Sequence, residues 1–282
     1  MMSYIVSVDF LKEQLDKRSE DMAVVDVRFE LANPEAGKQA YEEGHIPQAV
    51  YLDLNKDLSG PVQKHGGAHP LPDPDTFAKK VSALGIGNDT KVYIYDQANE
   101  MYASRAWWVF YYMGHQHVYL VDGGFKAWTE AGYEVTTEVP QHAEKVFTPD
   151  VRTDEVVHME DVKAKMQDRS AILIDSRDRS RYLGENEPMY HKAGHIPGAK
   201  NAFWKGVFDE DGSWKDPEQL EEHFASFPKN EEIIVSCGSG VSACPNIIGL
   251  KLAGYRNVKL YPGSFSDWIS YEDNEVETKD ES

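Results

Sequence analysis

Val24-Val25-Asp26-Val27-Arg28 returns later in the chain as Leu173-Ile174-Asp175-Ser176-Arg177. Each copy is a short apolar run closed by an acid, a spacer and an arginine, which reads as a buried strand whose end carries an ion pair. Two further segments repeat in the same order. Gly44-His45-Ile46-Pro47-Gln48-Ala49 recurs as Gly194-His195-Ile196-Pro197-Gly198-Ala199, and Val121-Asp122-Gly123-Gly124-Phe125-Lys126-Ala127-Trp128 recurs as Tyr261-Pro262-Gly263-Ser264-Phe265-Ser266-Asp267-Trp268. From residue 26 to 175, 45 to 195 and 123 to 263 the offsets are 149, 150 and 140, so only loop lengths differ. The chain is a duplicated domain.

Around these segments, β-branched and aromatic runs alternate with amphipathic stretches. That pattern predicts an α/β fold of two tandem domains, each a mainly parallel sheet with helices on both faces. Strands are expected near 23–26, 50–53, 91–95 and 118–121, then near 171–175, 200–202, 232–236 and 258–260. Helices are expected at 7–17, 75–84, 103–113 and 125–131, then at 153–166, 217–225, 242–253 and 265–270. The domains are read as 1–140 and 155–282 with a proline-containing linker at 141–154. The acidic stretch 272–282 is expected to fray. A length of 282 residues allows each half its own core.

Duplication supplies an internal control: residues in both halves serve the fold, and residues in one half are candidates for chemistry. By this test the Asp26/Arg28 and Asp175/Arg177 pairs, His45 and His195 are scaffold. The strand Val92-Tyr93-Ile94-Tyr95 leads to Asp96, whereas Ile233-Ile234-Val235-Ser236 leads to Cys237. The loop Cys237-Gly238-Ser239-Gly240-Val241-Ser242 can curl so that successive N–H groups point inward, and the following helix adds the positive end of its dipole. Such surroundings favour the thiolate form of a cysteine and make it a nucleophile. Arg181 has no counterpart near Leu31 and Ala32 and is a candidate anion clamp. Asp53 and His69 occur only in the first half, as candidates to face the cysteine across a cleft.

The remaining conspicuous residues read more plainly. Trp107 and Trp108 are core residues. His115 and His117 lack a third ligand, so no metal is expected. Cys237 and Cys244 are the only cysteines, with neither a zinc spacing nor a disulfide framework, and Cys244 reads as structural or incidental. A net charge of −19 argues against nucleic acid or an anionic membrane as partner. There is no basic, apolar leader and no stretch near the roughly 18 apolar residues of a membrane span, so a cytoplasmic location is expected.

The Cys237 loop, the Gly-His-Ile-Pro repeats and the paired Gly-x-Phe-x-x-Trp segments together resemble the tandem-domain rhodanese-type sulfurtransferases, from Val6 to about Trp268. The loop is similar to the 3-mercaptopyruvate sulfurtransferase form, with serine at 242 in place of the usual threonine. The resemblance implies an inactive amino-terminal domain, a catalytic carboxy-terminal one and an active site at their cleft, with no cofactor. It implies a cradle of Gly238, Gly240, Val241 and Ser242, a donor-carboxylate contact at Arg181, and a proton-handling group of Ser239, His69 and Asp53.

It further implies a small sulfur donor, a Cys237 persulfide, and a thiol or cyanide acceptor, a thioredoxin-like protein among the candidates. Neutral Gly238 and Ser239 favour 3-mercaptopyruvate over the thiosulfate dianion. A second arginine usual before the Gly-His-Ile-Pro turn is replaced by Glu187-Pro188-Met189-Tyr190-His191-Lys192, which leaves thiosulfate open. A non-catalytic persulfide carrier is the other alternative. A cysteine phosphatase would need arginine where Ala243 stands.

Overall fold

The computed structural model describes residues 4–17 and 21–280, and these form two compact units. The first contains the described residues through Gly60, Leu71–Arg152 and Glu210–Trp214; the second contains Pro61–Pro70, Thr153–Asp209 and the residues from Lys215 onward. Two short segments thus depart from a contiguous division into 1–140 and 155–282.

The first unit runs β1 (Ile5–Val6), α1 (Val8–Asp16), β2 (Met22–Asp26), α2 (Ala36–Glu43), β3 (Ala49–Tyr51), α3 (Pro74–Ala83), β4 (Lys91–Tyr95), α4 (Met101–Tyr112), β5 (Val118–Val121) and α5 (Gly124–Glu130). Its five strands lie in the order β1-β5-β4-β2-β3, every pairing parallel. The second runs α6 (Met159–Asp168), β6 (Ile172–Asp175), α7 (Arg179–Tyr182), β7 (Lys200–Asn201), α8 (Pro217–His223), β8 (Ile233–Ser236), α9 (Cys244–Leu252), β9 (Val258–Leu260) and α10 (Ser264–Trp268). Its order is β7-β6-β8-β9, again parallel throughout. The central strands are buried along their length because helices cover both faces, which is why they read as near-continuous apolar runs.

Local signals explain the ends. Asp73 accepts the Thr76 N–H and Pro74 opens α3, while Asp216 and Gln219 cap α8 reciprocally. Trp107 and Trp108 are buried core residues. The expected helix 153–166 is interrupted: a 3₁₀ turn, Thr153–Glu155, precedes a parallel bridge of Val156 to Leu260, and α6 begins only at Met159. The Val157 N–H donates to the Leu260 carbonyl at 3.0 Å, so the sheet edge takes the place of a first helical turn here.

The repeated residues perform repeated work. Arg28 holds Asp26 and the Gly44 carbonyl, and Arg177 holds Asp175 and the Gly194 carbonyl. His45 and His195 each bond a backbone carbonyl through Nδ1, to Tyr41 and Tyr182 at 2.7 Å, and stack on those tyrosines. Each Gly-His-Ile-Pro turn bridges to a later segment, His45 with Thr136 and His195 with Glu277.

That last contact corrects the expectation of a frayed tail. Glu277 is paired to His195, and the Glu275 carbonyl accepts the Trp268 indole at 2.7 Å, as Glu134 accepts Trp128 at 2.8 Å. Residues 281 and 282 lie outside the described residues. The expected linker 141–154 is also fixed over much of its length. Lys145 and Phe147 donate to Ser82, Thr148 pairs with Asn88, and Asp150 donates to Met113, so this stretch is a strap on the first unit with Phe147 buried. Its backbone groups find partners, which a free linker's would not.

At the end of β4 the first unit fills its own loop. The Asp96 carboxylate accepts the backbone N–H groups of Glu100 at 3.0 Å and Ala103 at 2.9 Å. Burial nevertheless raises Asp96 from its ordinary 3.8 to about 6, against the lowering effect of those N–H bonds. For an acid raised by folding, stability from this group is full below pH 3.8 and lost as pH rises through about 6. Asp96→Asn should therefore gain stability relative to wild type across that interval, measured by urea melts at pH 4 to 8. A pH-independent difference would contradict the account.

Candidate active site

Cys237 sits at the carboxyl end of β8, the strand between β6 and β9, where open parallel sheets place ligands. Its loop is held from below by the segment entering α10. The Cys237 N–H donates to Ser264 Oγ at 3.0 Å, its carbonyl accepts from Phe265, and the Gly238 carbonyl accepts from Ser266. Ser264 is a non-glycine residue at φ +53, a strained backbone that puts its hydroxyl under the cysteine. The loop then curls back on itself, and the Gly240 N–H points at Cys237 Sγ over 3.1 Å. Gly240 lies at φ +79, and a Cβ there would meet the Pro262 carbonyl at 2.4 Å, so only glycine fits. Val241 is buried, Ser242 is half-buried, and α9 starts at Cys244 without a side-chain cap at Ala243. Cys237 is 1 % exposed, with the Gly240 N–H on its sulfur and the start of α9 following the loop.

Ser239 and His69 come together. His69 Nδ1 lies 2.7 Å from Ser239 Oγ. His69 arrives on the segment Pro61–Pro70, which packs on the second unit: Gly66 N donates to Asp267 at 2.7 Å, Ala68 N to Ser266 Oγ at 3.0 Å, and His65 bonds Ser270. Asp53 belongs to the first unit, where its Oδ1 accepts the N–H groups of Asn55 and Lys56 and closes a turn after β3.

Arg181, on α7, is not a lone cation. Its Nε and Nη2 form a fork on Glu187 at 2.9 to 3.2 Å, and the same carboxylate takes Nη1 of Arg177 at 3.1 Å. Asp175, Arg177, Glu187 and Arg181 thus make one neutral chain of charges. The contacts of Arg181 use Nε and Nη2 and leave Nη1 without a protein partner among the described residues.

Two residues here escaped the sequence reading. Glu187 sets the Arg181 fork, and Tyr190 lies with its ring centre 5.5 Å from the Arg181 guanidinium and its hydroxyl against Gly238 and Ser239. Burial, and then the negative charge of Cys237, raise the Tyr190 phenol. Their one signal was position, in the segment before the second Gly-His-Ile-Pro turn, where the first half has α2 instead. Cys244 is buried with its thiol on the Gly240 carbonyl at 3.4 Å. His115 is buried beside Phe147, and its Nδ1 accepts the His117 N–H. Among the described residues no group of three His, Cys, Asp or Glu is placed to hold a metal, and no helix is long and apolar enough to cross a membrane.

Cavities of about 530 and 640 Å³ lie beside Pro197 and Trp268 and beside Pro47 and Trp128. They repeat at equivalent places and so belong to the duplicated fold; neither touches Cys237.

The arginines divide into scaffold and site. Arg177→Ala strands buried Asp175 and Glu187 and should cost about 3–5 kcal/mol. Arg181→Ala, at a partly exposed position, should cost about 1 kcal/mol or less. Chemical denaturation of both variants checks this; equal losses would refute the division.

The rhodanese-like domain family matches residues 7–131 and 158–271. A probable 3-mercaptopyruvate sulfurtransferase of Pseudomonas aeruginosa is 38% identical over 92% of this chain and 93% of its own. A thiosulfate sulfurtransferase of Cricetulus griseus is 33% identical over 94% and 91%. Among solved structures, SseA of Escherichia coli, described for the "Rhodanese" fold and mechanism of 3-mercaptopyruvate sulfotransferases, matches with TM-score 0.82 and 31% identity over 94% of this chain and 100% of its own. With both halves matched, and Cys237 following β8 where Asp96 follows β4 in the first half, this chain belongs to the rhodanese family of tandem-domain sulfurtransferases.

Proposed function

We propose that the protein transfers a sulfane sulfur from 3-mercaptopyruvate to a thiol or cyanide through a persulfide on Cys237. The observation that carries this reading is the neutral cradle, Gly238 and Ser239 directly after the cysteine with His69 on the Ser239 hydroxyl. Cys237 thiolate attacks the donor sulfur and the carbon–sulfur bond breaks. Its electron pair goes to carbon as the pyruvate enolate, which takes a proton to give pyruvate. The Ser239–His69 pair moves that proton, and the Nη1 edge of Arg181 receives the donor carboxylate. Loop N–H groups hold the anionic sulfur throughout. The acceptor thiolate or cyanide then attacks the outer sulfur and releases Cys237 thiolate, a ping-pong cycle. A thioredoxin-like thiol is one candidate acceptor for this second step. Asp53 enters the reading by resemblance alone.

Thiosulfate is the second reading, supported by the segment Glu187-Pro188-Met189-Tyr190-His191-Lys192, which has no second arginine before the Gly-His-Ile-Pro turn. Steady-state kcat/KM for both donors on the purified chain decides between them; a wild type that prefers thiosulfate overturns the proposal. Cys237→Ser should abolish turnover and the added sulfur mass, and Cys244→Ser should keep most activity. Equal losses would break the single-nucleophile mechanism.

The proton step separates the donors further. Thiosulfate releases sulfite without needing a proton, whereas the pyruvate carbon must gain one. His69→Asn should thus slow kcat with 3-mercaptopyruvate by roughly 10²-fold or more, and much less with thiosulfate. The same loss on both donors would reduce His69 to a structural contact.

A further inference from the structure

Tyr190 stands where a side chain at position 238 would begin. A Cβ on Gly238 would lie 2.9 Å from the Tyr190 hydroxyl oxygen, 3.3 Å from Cε2 and 3.5 Å from Cζ. The tyrosine is not free to swing aside. Its ring packs on the core beside Phe265, with centres 6.1 Å apart, and the Arg181 guanidinium lies 5.5 Å from its ring centre. Gly238 is equally fixed, because its carbonyl is tied to the Ser266 N–H at 2.9 Å. Positions 190 and 238 therefore compete for one volume.

We infer that Tyr190 is the specificity-determining residue of the Cys237 loop: by filling that volume it bars a side chain, and with it a cation, from the position after the nucleophile. The inference rests on the sulfurtransferase reading above and names what restricts its donor. A dianion with a departing sulfite gains from positive charge beside the sulfur, and a mercapto acid held by Arg181 does not. The tyrosine supplies one neutral hydroxyl there instead. Burial and the Cys237 charge raise the phenol, so the hydroxyl stays neutral. A basic residue at 238 thus requires the loss of Tyr190 first.

The test is a double-mutant cycle on the full chain with Gly238→Arg, Tyr190→Ala and the two together, reading kcat/KM for 3-mercaptopyruvate and thiosulfate at fixed ionic strength. Gly238→Arg alone should lose more than about tenfold on both donors, since an arginine is forced into occupied space. In the Tyr190→Ala background the same change should be tolerated and should move the donor ratio toward thiosulfate by about tenfold or more. Effects that simply multiply, or a single Gly238→Arg variant that shifts the ratio without loss, overturn the inference. Should Gly238→Arg fail to fold, Gly238→Ala replaces it: its loss of melting temperature should vanish in the Tyr190→Ala background, and an equal loss in both backgrounds overturns the inference. A wild type inactive on both donors would instead refute the sulfurtransferase reading, while the Gly238→Ala melting cycle still decides the steric one.

Discussion

The Arg177 guanidinium is the point on which the second unit is assembled. Its N–H groups reach Asp175 at the end of β6, the Gly194 carbonyl in the Gly-His-Ile-Pro turn and Glu187, and its face lies 4.0 Å from the Phe265 ring centre. A buried cation is costly unless its donors are satisfied, so the geometry of those partners is not negotiable. Through Glu187 the same residue orients Arg181, and through Phe265 it bears on the segment that supports the cysteine loop. Arg28 does the first half of this work in the other unit, with Asp26, the Gly44 carbonyl and Phe125, but nothing there extends the chain of charges toward a site.

Much of this was legible in the sequence because duplication separates fold from chemistry. The Asp–Arg pairs and the two histidines were shared, and each proved to hold backbone or a buried charge. Asp96 and Cys237 were not shared, and the acid turns out to use loop N–H groups for its own carboxylate. The eight expected strands all exist, while β1, α2 and α7 went unread: β1 is two residues long, and α2 and α7 bury only Gly37, Tyr41 and Tyr182, too few apolar positions for a period to show. Tyr190 and Glu187 were missed for a different reason. Their importance lies in which distant atom each side chain meets, Gly238 for one and two arginines for the other, and no local pattern encodes that. The same holds for the strap at 143–152, whose partners Ser82, Asn88 and Met113 lie far back in the chain.

The support beneath the loop shows how one copy acquired chemistry. Gly124, Lys126 and Ala127 in the first half stand at the places of Ser264, Ser266 and Asp267 in the second. Gly124 and Ser264 have nearly the same backbone, φ +58 and +53, yet serine accepts a conformation that is free for glycine. That strain, of order 1–3 kcal/mol, yields a hydroxyl for the Cys237 N–H. Ser266 and Asp267 provide acceptors for Ala68 N and Gly66 N, which fix the segment that carries His69 to Ser239. Lysine and alanine at those places have no acceptor to offer. Three polar residues on one helix start therefore do what the cysteine alone does not: they fix the Cys237 backbone and hold the segment that brings His69 to Ser239.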